Sequence, residues 1–103
     1  MFDYSRGMEK MTAMQMMSAL AQPTRLNVFT ILAEQQPTGL SAGEIAAKSN
    51  TPPNTMSAHL AILSRAGLVT SSKAGRVVTY TARPEAVLEL CAFLTRASGV
   101  SAP

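Results

Sequence analysis

Two helix signals placed close together in residues 41–67 constrain the fold of this chain most strongly. The first is Ser41 followed by Glu44, the spacing of a capping box in which serine is the N-cap and glutamate stands at N3. The second is Thr51 at an N-cap position with Pro52 at the first helical position. Two short helices joined by a tight turn predict a helix-turn-helix, a unit whose second helix lies in the major groove of DNA.

The second helix of this unit has two unlike sides. Met56, Leu60 and Leu63 recur at i, i+4 and i+7 as one apolar stripe, and Gly67 ends the helix as its C′ residue. The other side carries small and short polar residues, which suit contacts with base edges and phosphates. The residues of this helix that we expect to contact DNA are Asn54, Thr55, Ser57, Ala58, His59 and Arg65. The alternative is an ordinary solvated helix face.

Periodicity along the rest of the chain predicts three further helices and a hairpin. The helices are expected at about residues 9–21, 23–36 and 84–97. Residues 68–72 and 77–81 are strand-like, and residues 73–76 are the expected turn between them. The predicted order is α-α-α-α-β-β-α, a mainly α winged helix-turn-helix in which the small β-hairpin is the wing.

Apolar stripes predict which side of each further helix is buried. The stripes are Ala13, Met16, Met17 and Leu20 in the first helix, Leu26, Phe29, Leu32 and Ala33 in the second, and Val87, Leu90, Cys91 and Leu94 in the last. Cys91 is therefore expected in the core, the usual place of a free cysteine. A second hypothesis brings Cys91 against the same residue of a partner copy, where the pair would form an effector or redox site.

Other residues carry two interpretations each. Lys73 and Arg76 bracket the predicted turn, where they would contact phosphate or the minor groove, or would simply make the turn polar. Arg25 is expected to contact phosphate or to form a structural ion pair. His59 is either a structural histidine or a phosphate contact, and one histidine without a partner makes no metal site. The methionines at 8, 11, 14, 16 and 17 are expected to pack at a dimer interface rather than to bind Cu(I).

Composition sets the broad class of protein. A chain of 103 residues predicts one domain, residues 1–103, with residues 1–8 and 99–103 flexible. The net charge of +3 is compatible with a polyanionic partner, and a single cysteine excludes an intrachain disulfide and a zinc-finger spacing. Polar residues interrupt the apolar segment 11–21, and this pattern favours an amphipathic helix over a signal peptide. We therefore expect a cytoplasmic protein without membrane contact. No catalytic set of residues is visible, so an enzyme is not expected.

Taken together, these segments resemble the ArsR/SmtB family of bacterial winged-helix repressors. The resemblance covers about residues 17–99 and is carried by residues 19–26, 40–46, 52–60 and 65–69, with Gly75, Arg76 and Tyr80. It implies a homodimer held by the first and last helices, which binds an inverted-repeat operator in double-stranded DNA upstream of its own operon. It also implies release of the DNA when an effector binds, and it implies no required cofactor.

Segments 42–46 and 52–55 are most similar to a branch of the family found beside arsenic-resistance genes. That branch often has adjacent cysteines near the end of the last helix, which bind As(III), but residues 95–99 contain no cysteine. A Cys-x-Cys pair at residues 40–43 and the zinc pattern of the last helix at residues 86–91 are also missing. As(III) or another thiophilic effector therefore has no recognisable site.

Two alternatives to an effector-released repressor remain open. The first is a regulator that responds to no effector, or to redox chemistry through Cys91. The second, from a different functional class, is a winged-helix protein-interaction module that binds no DNA. Lys73 and Arg76 distinguish the classes, because a protein-interaction module has little need for two cations at its wing.

Overall fold

The computed structural model describes residues 8–100, and over this range the elements follow the predicted order with one addition. The helices are α1 (Lys10–Leu20), α2 (Pro23–Glu34), α3 (Ala42–Lys48), α4 (Pro53–Arg65) and α5 (Pro84–Ala97). The strands are β1 (Leu40–Ser41), β2 (Val69–Ala74) and β3 (Val77–Ala82). The added element is β1, and α3 and α4 form the helix-turn-helix that β2 and β3 follow as the wing.

Strand β1 ties the helix-turn-helix to the wing. Leu40 pairs with Tyr80 and Ser41 with Thr79, so the antiparallel sheet has the order β1-β3-β2. Gly39 precedes the strand at φ +75°, and a Cβ there would collide with the Tyr80 carbonyl oxygen. Because two residues are too few to show an alternating pattern, the sequence offered no signal for this strand.

The core lies between the helix-turn-helix, α2 and the base of the wing. Its largest fully buried side chains are Val28, Leu32, Ile45, Met56, Leu60, Leu63 and Leu68. Three of them form the apolar stripe predicted for α4, which is confirmed. Burying each side chain of this size stabilises the folded state by about 1.5–3 kcal/mol relative to leaving it exposed. The inner side of α4 is thus fixed by packing, and its outer side faces away from the core.

The stripes predicted for the other helices are wrong at five positions. Met17 is 37%, Leu26 50% and Leu94 42% exposed, and Ala33 and Cys91 are exposed as well. The buried residues are Ala13, Met16 and Ala19 in α1, Val28 and Leu32 in α2, and Ala86 and Leu90 in α5. The stripes are thus confirmed at Ala13, Met16, Leu32 and Leu90. These helices carry apolar residues on more than one side, so periodicity alone cannot identify the inner side.

The start of α4 lies one residue later than predicted. Its N-cap is Pro52 rather than Thr51, and no side chain caps the first turn. The Thr51 hydroxyl instead donates to the Ser49 carbonyl oxygen at 3.0 Å. The Thr51 backbone N–H donates to the Ala46 carbonyl oxygen, also at 3.0 Å. Asn50 adopts φ +50°, a left-handed conformation that asparagine tolerates better than most residues. Thr51 therefore stabilises the turn between the two helices rather than the second helix.

The wing is longer, and its turn is tighter, than predicted. β2 and β3 stay paired up to Ala74 and Val77, so Lys73 lies in a strand and not in the turn. The turn consists of residues 75–76 alone. The φ of +64° at Gly75 fits the first position of a type II′ turn, which suits the twist of the strands that it joins.

The segments predicted to be flexible, residues 1–8 and 99–103, fall largely outside the described residues. Within the described range, Met8 is buried against the core, and Gly99 and Val100 are exposed. No helix between residues 8 and 100 is both long enough and apolar enough to cross a bilayer.

Candidate nucleic-acid interface

The capping box predicted at the start of α3 is present. The Ser41 N–H donates to Glu44 Oε1 at 2.8 Å, and the Glu44 N–H donates to Ser41 Oγ at 3.2 Å. Hydrogen bonds from the Ser41 backbone and side chain lower the pKa of the Glu44 carboxyl below its ordinary value, and Lys48 adds a smaller lowering. Leu40 and Ile45 stand at N′ and N4 of α3, the positions of a hydrophobic staple, and both are buried. The first turn of α3 is thus fixed, and α3 packs against α4.

The outward side of α4 carries most of the residues expected to contact DNA. The exposed ones are Asn54, Thr55, Ser57, Ala58 and Arg65, which extend from the first turn of the helix to its last. The Ser57 hydroxyl donates to the Pro53 carbonyl oxygen at 3.1 Å, which leaves its oxygen lone pairs to accept from a ligand. The structure therefore brings the predicted set together on one surface, apart from His59.

His59 lies at the edge of this surface and is half-buried. Its Nδ1 is 3.3 Å from Arg25 Nη1, and Arg25 Nε donates to the Ala19 carbonyl oxygen at 2.8 Å. Arg25 therefore joins the end of α1 to α4. Within residues 8–100 Arg25 forms no ion pair of the kind considered for it, since the salt bridge in this range joins Arg83 to Glu85.

The two cations of the wing, Lys73 and Arg76, are exposed. The base of the wing is fixed by Arg83, whose Nη1 donates to the Gly67 carbonyl oxygen at 2.7 Å and whose Nε pairs with Glu85 Oε1 at 3.1 Å. Because Gly67 follows directly after α4, these contacts set the orientation of the wing relative to that helix. No motif in the sequence distinguishes Arg83 from a solvated arginine, so this role could not be predicted.

Positive and negative residues are distributed unevenly along the chain. This pattern was not used to predict a partner, although the sign of each charged residue is visible in the sequence. Residues 45–84, here named the acid-free stretch, contain five Lys and Arg residues and no Asp or Glu. The rest of the chain contains four Lys and Arg residues and six Asp and Glu residues. The acid-free stretch includes all of α4 and the wing. Its positive charge favours a polyanion as partner.

The two terminal helices carry exposed apolar residues. These are Met11, Met14 and Met17 of α1 and Leu88, Cys91 and Leu94 of α5, and together they are here named the terminal-helix face. Met11 is 64% and Leu88 54% exposed, and the two helices pack against each other. Cys91 stands three residues from both Leu88 and Leu94, in the middle of the exposed apolar residues of α5. Large apolar residues grouped on a surface mark an interaction site.

Comparison with known proteins identifies the fold family. The family model described as a helix-turn-helix domain matches residues 20–72, which is more than half of the chain. The transcriptional regulator HlyU from Vibrio vulnificus CMCP6 is 33% identical, with 85% of this chain and 88% of that chain covered and a TM-score of 0.64. An ArsR-like transcriptional regulator from Rhodococcus sp. RHA1 is 26% identical, with 86% and 81% covered and a TM-score of 0.78. The chain belongs to the ArsR/SmtB family.

Membership in the ArsR/SmtB family confirms the resemblance inferred from the sequence and assigns the chain the general role of a DNA-binding transcriptional regulator. The homodimeric winged helix-turn-helix DNA-binding domain Mb0332 from Mycobacterium bovis shares the fold at 21% identity, with 90% of each chain covered and a TM-score of 0.69. A comparison of the sequence with curated proteins finds no match.

Metal-sensing chemistry of the ArsR/SmtB kind has no visible donor set in the described residues. Between residues 8 and 100, no three His, Cys, Asp or Glu side chains lie close enough together to hold a metal ion. Cys91 is exposed on α5 rather than buried as predicted, so its thiol is accessible in the single chain. Within the described residues, the candidate DNA-binding surface is therefore better defined than any candidate effector site.

Proposed function

We propose that this chain is a dimeric, sequence-specific transcriptional repressor that binds an inverted-repeat operator upstream of its own operon. The observation that carries the proposal is the acid-free stretch, because it includes all of α4 and the wing and holds five Lys and Arg residues without any Asp or Glu. Like-charged acidic groups near a phosphate would weaken binding, and residues 45–84 contain none.

In the proposed complex, α4 enters the major groove and its short polar residues read the bases. Asn54 stands in the first turn, where an asparagine amide bonds adenine through two hydrogen bonds. Thr55 and Ser57 contact base edges or phosphates, and the methyl group of Ala58 contacts a thymine methyl. Lys73 and Arg76 bind phosphates or the minor groove from the wing and set the register of the protein on the duplex.

Two copies are needed to read an inverted repeat, and the terminal-helix face supplies a surface for pairing them. Its exposed methionines and leucines gain free energy when a second copy covers them. The homodimeric Mb0332 domain of the same fold supports this arrangement. A two-fold axis through the pair would place the two α4 helices one helical turn of DNA apart, about 34–36 Å.

The effector of the proposed repressor is left open by the residues themselves. A thiophilic effector such as As(III) would have to use Cys91, because the chain contains no other cysteine. Redox control would use the same thiol, and regulation without any effector is the remaining possibility. The exposure of Cys91 within an apolar surface makes its environment dependent on dimerisation, which supports a test of this residue first.

The test is fluorescence anisotropy of the protein on a labelled duplex from the DNA upstream of its gene, with a scrambled duplex as competitor. We expect tight binding to the upstream duplex, weaker binding to the scrambled one, and a linear fall of log K with log salt. Arsenite is then titrated under reducing conditions, for the wild type and for Cys91→Ser. Salt-independent binding, or no binding to any duplex, rejects the repressor and leaves a protein-interaction module.

A further inference from the structure

Arg25 faces His59 with a group that only donates hydrogen bonds. A guanidinium is always protonated and has N–H donors but no acceptor. Because Arg25 Nη1 lies 3.3 Å from His59 Nδ1, the ring nitrogen accepts with its lone pair. A proton on Nδ1 would point at an N–H of Arg25, and a flipped ring would place a C–H there. Arg25 is itself held by the Ala19 carbonyl oxygen at 2.8 Å.

A neutral imidazole whose Nδ1 accepts carries its proton on Nε2. Among residues 8–100, no group forms a hydrogen bond with His59 Nε2, and no buried side-chain nitrogen or oxygen lacks a partner. Nε2 is therefore reachable from solvent, although the ring is half-buried. His59 thus presents one donor, fixed in direction, at the surface of α4.

This donor lies on a flank of α4 and not on its outward side. At 100° per residue, His59 stands about 60° from buried Met56 and about 120° from exposed Arg65 around the helix. Phosphates border a groove while bases form its floor, so a flank position suits the DNA backbone. Arg25 has no carboxylate partner among the described residues, and its charge adds positive potential beside the ring.

We propose that His59 donates from Nε2 to a backbone phosphate and that Arg25 is a positioning residue that fixes the tautomer needed for this contact. The inference rests on the proposed function, because it requires α4 to lie in a major groove. It gives His59 both roles that the sequence left as alternatives, a structural role at Nδ1 and a DNA contact at Nε2.

Two substitutions of His59 separate its two nitrogens. His59→Asn keeps an acceptor near the Nδ1 position and removes the donor at Nε2, whereas His59→Gln keeps a donor near the Nε2 position. We expect about a hundredfold loss of affinity for His59→Asn, because the dimer loses two hydrogen bonds to charged groups and each accounts for about tenfold. We expect His59→Gln to stay within about threefold of the wild type, because its amide still donates to the phosphate.

The same measurements identify the contact as one to phosphate. The loss in His59→Asn is expected to be equal on operator and scrambled duplexes, because a phosphate contact reads no sequence. The slope of log K against log salt is expected to stay unchanged, since a neutral donor releases no counterion. Wild-type affinity in His59→Asn, or a loss seen on the operator alone, overturns the proposal.

The part assigned to Arg25 is tested by ¹⁵N NMR of the imidazole in the DNA-free protein at pH 8. We expect the Nε2–H tautomer in the wild type and in Arg25→Lys, which still offers only donors. Arg25→Gln is expected to show both tautomers, because a glutamine amide accepts as well as donates. An Nδ1–H tautomer in the wild type overturns the proposal.

Failure of this inference is distinguishable from failure of the proposed function. If the wild type binds no duplex, both are rejected. If the wild type binds and His59→Asn binds equally well, only the phosphate contact of His59 is rejected. Circular dichroism checks that each variant is folded, and if Arg25→Gln does not fold, the two His59 variants still decide the matter with Arg25 intact.

Discussion

The acid-free stretch and the terminal-helix face are both exposed, but they suit opposite kinds of partner. Residues 45–84 present cations and short polar groups on a helix whose inner side is packed, and such a surface fits a polyanion. The terminal-helix face presents methionines, leucines and a thiol, and it fits another apolar surface. A positive surface indicates a negatively charged partner. An exposed apolar patch indicates only that some other apolar surface covers it and does not identify the partner further. Substitutions in each surface, each with a matched control, distinguish the pairing of two copies from direct contact with DNA.

The largest expected effect comes from placing a charge in the terminal-helix face. Leu88→Asp is expected to convert the dimer to a monomer, because a carboxylate there would have to be buried without a partner. Operator affinity should fall by more than about 100-fold, since each monomer then binds a single half-site. Sedimentation velocity measures the first effect and anisotropy the second.

Leu26→Asp is the matched control for Leu88→Asp. Leu26 is 50% exposed and Leu88 is 54% exposed, so the chemical change is the same, but Leu26 lies on α2, outside the terminal-helix face. The control should remain a dimer with wild-type affinity. If Leu88→Asp is still dimeric, or if both variants dissociate equally, pairing through the terminal-helix face is rejected.

The next effect concerns the wing. Arg76→Ala removes two cations from a dimer, so the slope of log K against log salt should fall by about two. At physiological salt the affinity should drop about thirtyfold, to the same extent for operator and scrambled duplexes. Arg96→Ala removes the same charge from α5, outside the acid-free stretch, and should leave the slope unchanged. Equal slopes for the two variants would show that only net charge matters.

Much of the fold follows from local signals in the sequence, and the exceptions have physical reasons. The capping box, the stripe of α4 and the hairpin each arise from residues a few positions apart, so their neighbours in the chain suffice to predict them. The inner sides of α1, α2 and α5 depend on which elements pack against them. Met17, Leu94 and Cys91 are therefore apolar and yet exposed, and no local pattern distinguishes them from core residues.

The site shows the same division between local and distant information. The exposed residues of α4 follow from winding the helix away from Met56, which is a local argument. The contact of Arg25 with His59 joins residues 34 apart in sequence, and that of Arg83 with Gly67 joins residues 16 apart. Both involve common polar side chains that pair only once the helices are packed. The sequence therefore predicts the outward surface of α4. It does not predict the contact of Arg25 at the flank of α4 or the contact of Arg83 at its end.

An effect of similar size distinguishes base contacts from charge within the acid-free stretch. Asn54→Ala should weaken operator binding by about thirtyfold, because the dimer loses two base contacts of about 1 kcal/mol each, the lower end of the range for a good contact. Binding to scrambled DNA and the salt slope should stay the same, because no cation is removed. Asn27→Ala, an exposed asparagine of α2, is the matched control and should change neither. An equal loss on both duplexes would place Asn54 on phosphate.

The smallest expected effect is on stability and not on DNA binding. Ser41→Ala removes the side-chain half of the capping box of α3 and should lower the free energy of unfolding by about 1 kcal/mol. Urea denaturation measures this change. Operator affinity measured without urea, where both proteins are folded, should stay at the wild-type value, since Ser41 lies outside both exposed surfaces. A loss of affinity larger than the loss of stability would mean that the first turn of α3 itself touches DNA.

The Glu44 half of the capping box is revealed by pH. Because the pKa of Glu44 is lowered by its hydrogen bonds with Ser41, its ionised form stabilises the folded chain above the pKa of a free glutamate. That contribution is lost as the pH falls through the lowered pKa of the folded state, so wild-type stability should decline over this acidic window. Glu44→Gln carries no titrating group there, and its stability should decline less steeply between neutral pH and acid. Parallel pH profiles for the two proteins would show that the capping box holds no differential affinity for the ionised carboxylate, and α3 would then be stabilised by its packing and by the Ser41 side-chain cap.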